Sequence, residues 1–281
     1  VTESDIGQPA DAPEAGTDPP VLVERRGHVL EITLNRPENR NSMTPEMLPA
    51  FAAAIRTAGL DADARCVIIT GTGSSFCAGA DFRSNLLDHS AKPPPDAQFE
   101  VYGAFLEILK IKVPVIAAMQ GHAVGGGLGL AMVCDLRVAN HDARYGANFV
   151  RLGLSPGMAI SYMLPRLVGV PKALELMLTG RIISGAEARD LGLVNDAVDG
   201  HRVLERAREI AAEIAAAAPI AVRWTKELTY RHLDWDPNAA ARLEGAFQAF
   251  TAHTRDFAEG VAALLEKRPA DFSGDWSPSQ D

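Results

Sequence analysis

Cysteine is scarce in this chain of 281 residues: Cys66, Cys77 and Cys134 are odd in number and far apart. Such spacing supports neither a disulfide framework nor a metal site, so no metal is expected. Cys77 has no histidine beside it in sequence, and apolar surroundings raise a thiol's pKa, so a nucleophilic role is not expected of it. No apolar run approaches the ~20 residues of a membrane span, and the N-terminal residues lack the basic-then-apolar order of a secretory signal. The expectation is a soluble, cytoplasmic protein. An excess of positive charge is also missing: 27 Lys and Arg stand against 36 Asp and Glu, a formal net charge of −9. That argues against a general nucleic-acid role, because phosphate binding relies on clustered cations.

What is present is enough apolar material, 47% of residues, to bury a substantial core. One large α/β domain with a helical C-terminal extension is the expected organisation. Residues 1–20, rich in Pro, Asp, Glu, Gly and Ala, hold little that packs and read as a disordered acidic tail. The expected divisions beyond it are a core over 21–200 and a helical region over 201–281. Residues 21–35 read as two strands joined by a tight turn at Arg26-Gly27. A helix follows near Thr44-Pro45, where Thr caps and Pro occupies the first turn. Strands and helices then alternate to about residue 140, which indicates a parallel sheet under helical cover. Helices are expected over 203–218 and from Pro219, Pro237 and Thr254. Phe247, Phe250, Phe257 and Leu264 recur at helical spacing, a stripe to be buried against a domain or a second subunit.

Two glycine-centred segments carry the chemistry. The first, 76–81 (FCAGAD), follows the apolar run 66–70 (CVIIT); the second, 121–127 (GHAVGGG), follows 113–119 (VPVIAAM). Both runs are short, β-rich and bounded by turn residues, as buried strands are. Residues 128–133 continue as a helix-competent stretch, so the second glycine run falls at a helix N-terminus, where unpaired N–H groups favour negative charge. Phosphate would suit such a place. So would the oxyanion of an attacked or deprotonated thioester.

The strings 32–42 (ITLNRPENRNS), 71–81 (GTGSSFCAGAD) and 121–135 (GHAVGGGLGLAMVCD) resemble the three signature regions of the enoyl-CoA hydratase/isomerase, or crotonase, superfamily. Further matches at 165–169 (PRLVG), 178–181 (LTGR), 192–194 (GLV), 256–261 (DFAEGV) and 266–269 (EKRP) extend the resemblance over 21–274 in one register. It implies the ββα spiral of crotonases, with C-terminal helices that build a homotrimer or a dimer of trimers. It also implies a ligand, an acyl-CoA thioester of the kind met in fatty acid metabolism. Coenzyme A arrives as part of the substrate, and no permanently bound cofactor is expected. The residues matching the family's oxyanion hole are Ala78 and Gly126, both acting through backbone N–H groups, with Gly79, Ala80 and Asp81 lining the substrate. Arg40, Ser42 and Lys267 (or its neighbour Arg268) are candidates to meet the CoA moiety, the last two across a subunit boundary.

One departure is specific. The family's hydratases hold and activate water with two glutamates, and these positions fall on Gly129 and Phe149. Neither moves a proton, and general acid–base catalysis typically contributes about 10²–10⁴-fold. The pair suggests a wider, more apolar cavity. Candidate replacements are Asp81, Asp135, His122, Tyr145, Arg151 and Ser155, together with Asp88 and His89 in the polar stretch 84–95, which reads as a lid. A non-catalytic acyl-CoA-binding or interaction protein on the same fold is the alternative that the missing glutamates favour. A serine hydrolase using Ser155 is a further alternative, since 153–157 (GLSPG) fits G-x-S-x-G. Against it, Pro156 lacks the N–H that the elbow's oxyanion hole requires. A dinucleotide site at Gly71-Thr72-Gly73 fails because Phe76 occupies the third glycine's place.

Overall fold

The computed structural model describes residues 18–81 and 102–275. Most of the expected tail, and the stretch 84–95 with Asp88 and His89, lie outside the described residues.

Cys66–Gly71 (β3) and Val115–Met119 (β5) are buried along their whole length. Because successive side chains of a strand face opposite ways, Val67, Ile69, Val115, Ala117 and Met119 enter one core, while Cys66, Ile68, Ile116 and Ala118 enter a second. Burial on both faces is the condition for a parallel sheet. β3 accordingly pairs in parallel with Val29–Leu34 (β2) and with β5, and β5 with Leu136–Asn140 (β7). Val21–Arg26 (β1) pairs antiparallel on the edge through the turn at Gly27, and Asp196–Val198 (β10) closes the order β1-β2-β3-β5-β7-β10.

After each of β3, β5 and β7 the chain enters a second sheet. Ser75–Cys77 (β4), His122–Val124 (β6), Arg144–Gly146 (β8) and Ile183–Ser184 (β9) lie in the order β4-β6-β8-β9. The two glycine segments thus each contain a short strand, where the sequence reading had only turns. The helix Gly126–Met132 begins two residues after β6. Helix Met47–Leu60 starts slightly later than expected, with Thr44 Oγ1 accepting from the Met47 N–H at 3.1 Å.

The second core is closed by the helix Val203–Ala215, whose Val203, Ala207 and Ala211 recur every four residues against the sheet. This helix falls in the expected helical region yet completes the sheet's packing. Arg208 reinforces it, donating through Nε and Nη2 to the two carboxylate oxygens of buried Glu31, each at 2.7 Å. Helices Pro219–His232, Pro237–Thr251 and Arg255–Glu266 start as the sequence predicts, with Pro in the first turn of the first two and Asp236 and Thr254 capping the last two. Asp135 braces the first of them to the sheet. Its carboxylate accepts from Val115 N at 2.7 Å, Lys226 Nζ at 2.6 Å and Tyr230 Oη at 2.8 Å. Phe247 and Phe250 both pack on Trp224, yet Phe250, Phe257 and Leu264 stay 55%, 53% and 77% exposed, so the stripe is not buried within one chain.

Candidate active site

The two glycine turns meet because β4 and β6 run in parallel, side by side. The approach is close: a Cβ built on Gly127 would stand 1.9 Å from the Cys77 carbonyl oxygen. One on Gly79 would stand 2.9 Å from Val124 O and 3.1 Å from Gly126 N, at a φ of +83°. Only glycine fits such contacts and that left-handed backbone.

Hydrogen bonding decides which N–H groups remain available. Ala78 N donates to Arg40 O at 3.1 Å. The Gly79 N–H lies close enough to the Cys77 thiol to oppose the rise that burial gives it. Met43 N donates to Gly79 O at 2.8 Å and Asp81 N to Met43 O at 3.5 Å, a parallel bridge that pairs Met43 with Ala80. In such a bridge the residues either side of Ala80 make the bonds, and the N–H of Ala80 itself turns to the opposite edge. That is the edge along which β6 runs, followed by the 125–127 turn. Gly126 opens its helix, and its N–H has no intrahelical partner, the first internal bond being Gly129 N to Gly125 O at 3.1 Å. The expected Ala78 donor is therefore corrected. Its N–H is committed to Arg40, and the available pair is Ala80 with Gly126.

The walls are apolar. A Cβ on Gly126 would lie 2.8 Å from Met43 Cε and 3.6 Å from Met158 Cγ; one on Gly129 would lie 2.4 Å from Met158 Cβ. The Phe149 ring reaches the turn as well, its Cζ 3.9 Å from a Cβ on Gly125, and packs on the main core. Against the wider cavity expected from Gly129 and Phe149, Met158 fills the space directly over Gly129 among the described residues, and the Phe149 ring edge stands beside Gly125. Met158 and Ala159 have φ of +57° and +56°, left-handed values that a helix does not accommodate. The helix expected from Met158 therefore starts at Ile160. Two neutral polar groups border the wall. A Cβ on Gly157 would be 2.4 Å from Tyr102 Oη, and one on Gly125 would be 3.7 Å from Asn148 Oδ1. Met43, Met158 and Tyr102 escaped the sequence reading, because no local pattern marks a side chain that reaches the site from a distant segment.

The other candidates are placed elsewhere or already engaged. His122 is exposed, and its Nδ1 accepts from Arg144 N at 3.0 Å. The Tyr145 hydroxyl is buried between the Met119 and Asn140 backbones, Arg151 Nε donates to Thr179 O, and Asp135 serves its brace. Asp81 closes the first turn, its N–H on Met43. Burial pushes the Cys77 thiol up to about 12, far from a thiolate. Ser155 is exposed and follows a short 3-10 helix, Phe149–Leu152, so the strand that a nucleophile elbow needs is missing. Gly71-Thr72-Gly73 leads into β4 and not into a helix, which removes the dinucleotide reading.

Of the CoA candidates, Arg40 is exposed at φ +61° on the loop whose carbonyl holds Ala78. Ser42 is 7% exposed and its hydroxyl donates to Asn39 O at 2.7 Å, which ties it into its own loop. Exposed Lys267 caps the helix Arg255–Glu266. Its neighbour Arg268 is neutralised by Glu259, at 2.6 and 2.8 Å, and by Glu266 at 2.6 Å. Among the described residues no cluster of His, Cys, Asp and Glu could hold a metal, and no helix is long and apolar enough to cross a membrane.

Comparison with known proteins agrees with this fold. The family model for enoyl-CoA hydratase/isomerase matches residues 24–275. The bovine protein named enoyl-CoA hydratase domain-containing protein 2, mitochondrial, is 40% identical over 252 residues, covering 88% of this chain and 85% of its own. The (E)-benzylidenesuccinyl-CoA hydratase of Thauera aromatica is 35% identical over 263 residues, covering 91% of this chain and 99% of its own. The crystal structure of an enoyl-CoA hydratase from Bacillus anthracis superimposes with a TM-score of 0.85 at 35% identity, over 91% of this chain and 100% of that one.

Proposed function

The chain belongs to the enoyl-CoA hydratase/isomerase family, and from that membership we propose that it is an enzyme that binds an acyl-coenzyme A and polarises its thioester carbonyl with the N–H groups of Ala80 and Gly126. The observation that carries this reading is the bridge pairing Ala80 with Met43, which leaves the Ala80 N–H on the β6 side beside Gly126. Backbone donors held by two parallel strands need no reorganisation when negative charge develops on the oxygen, and one such donor is typically worth about 10²–10³ in kcat. Arg40 is the CoA contact that its exposure and position support best, and Lys267 is kept for a site completed by a second subunit. The exposed Phe250, Phe257 and Leu264 support assembly into a homotrimer or a dimer of trimers.

The reaction is of the lyase or isomerase kind performed on the thioester's enolate. At Gly129 and Phe149 no carboxylate is present to take a proton from water, so hydration of a trans-2-enoyl-CoA is slow by comparison with a two-glutamate enzyme. Met158 and Phe149 favour a second reading, acyl-CoA binding without turnover. The deciding experiment pairs calorimetry of a non-hydrolysable acyl-CoA with turnover of a short and a long trans-2-enoyl-CoA. Binding with slow hydration supports the first reading, and binding with no turnover of any acyl-CoA supports the second. Absence of binding overturns both, whereas brisk hydration overturns the argument from Gly129 and Phe149.

A further inference from the structure

Tyr102 stands one helical turn before Phe105 in the turn 102–106, and residues three apart share a helix face. Phe105 is fully buried, its ring 5.1 Å from that of Phe51, so this face is anchored in the main core and Tyr102 is held at the core's rim. Its hydroxyl abuts Gly157, where an added Cβ would meet Oη at 2.4 Å and Cζ at 2.9 Å. The next residue, Met158, covers Gly126 and Gly129. The phenol therefore borders the wall that covers the donor pair.

Among the described residues, the rest of that wall is formed by Met43, Met158 and Phe149, which are apolar and offer no strong donor. The half-buried Tyr102 hydroxyl makes no hydrogen bond to a described residue, which leaves it free to donate. Half-burial raises its pKa above the ordinary value, so it stays a neutral donor at physiological pH. Asn148 lies on another side of the site, over Gly125.

Resting on the thioester reading of this site, we infer that the Tyr102 hydroxyl donates a hydrogen bond to the acyl group, so that the protein selects acyl-CoA thioesters carrying an acceptor oxygen on the acyl chain over saturated ones. A keto oxygen suits a phenol donor because it only accepts.

The test is calorimetry on the full chain with butyryl-CoA and acetoacetyl-CoA, which differ by one keto oxygen. The unmodified protein is expected to bind acetoacetyl-CoA about three- to tenfold more tightly, the worth of one neutral hydrogen bond. Tyr102→Phe lowers the affinity for acetoacetyl-CoA by more than that for butyryl-CoA and abolishes the preference. Gly157→Ala retains the phenol but pushes its tip aside, and produces the same selective loss; thermal melts establish that both variants are folded. Equal weakening toward both ligands in Tyr102→Phe assigns the residue to packing and overturns the inference, as does a preference that survives the substitution or is absent from the unmodified protein. Binding of neither thioester overturns the thioester reading and this inference with it.

Discussion

The Cβ of Met158 stands 2.4 Å from the point where any side chain on Gly129 would begin. The absence of a carboxylate at 129 is thus built into the packing. Met158 is 1% exposed and held by a left-handed backbone, so it does not swing away as a flexible surface side chain would. Phe149 differs, being partly exposed at its own position and in contact with the turn only through its ring edge.

The two lost glutamate positions should therefore respond differently to restoration. Phe149→Glu is expected to raise hydration of a short trans-2-enoyl-CoA at least about tenfold, below the full range of a tuned acid–base group. Gly129→Glu alone is expected to give no gain and to lower stability by about 1–3 kcal/mol through overpacking. Hydration rates and urea denaturation of both variants check this, and a gain from Gly129→Glu would contradict the packing argument.

Gly127→Ala places a methyl against the Cys77 carbonyl, a rigid backbone group that cannot give way. Loss of about 3 kcal/mol or more of stability is expected, with weakened acyl-CoA binding, because the two turns must separate. Gly126→Ala crowds the flexible tip of Met43 and makes only ordinary contact with Met158, so it is expected to cost less. Comparing the two by denaturation and calorimetry separates backbone crowding from side-chain crowding.

Asp135→Ala leaves Lys226 without its anion and Val115 N and Tyr230 Oη without an acceptor. Both charged side chains are largely buried, at 15% and 13% exposure, and removing one partner of such a pair typically costs about 3–5 kcal/mol. Tyr230→Phe removes one neutral donor and is expected to cost about 1–2 kcal/mol. Chemical denaturation of the two variants measures the difference.

Alkaline pH should destabilise the fold without any single residue failing. Burial pushes the thiols of Cys66, Cys77 and Cys134 from 9.0 up to about 12, and the Tyr145 and Tyr230 hydroxyls also rise above their ordinary value. An acid that ionises more readily in the unfolded chain leaves it with fewer bound protons, so stability falls as pH rises. The thiol contribution is complete below about pH 9 and is lost as pH climbs toward 12. Denaturation midpoints between pH 8 and 11 should decline, and the three thiols should resist a thiol reagent at pH 8 until the protein unfolds. Fast native labelling would show that they are not buried.

The strand runs 66–70 and 113–119 were legible because continuous β-rich apolar segments bounded by turn residues leave few options. The helix starts at Pro219, Pro237 and Thr254 were legible because capping and first-turn proline act over three or four residues. Boundaries were misjudged at Met158 and inside the glycine segments, and the first helix begins later than Thr44-Pro45 suggested. Consecutive left-handed residues and strands only three residues long leave no periodic signature.

The sequence by itself determined the buried strands of the main sheet, the C-terminal helix starts, the family, and the placing of two glycine turns where backbone can approach a ligand. These follow from local conformational preference and from patterns a few residues long. Only the tertiary structure decided that Ala80, not Ala78, has the available N–H, that Met158 fills the space over Gly129, and that Tyr102 borders the site. Each depends on contacts between segments tens of residues apart, Arg40 with Ala78, Met158 with Gly129 and Tyr102 with Gly157. The packing of distant backbone, and not the preference of any one segment, selects them.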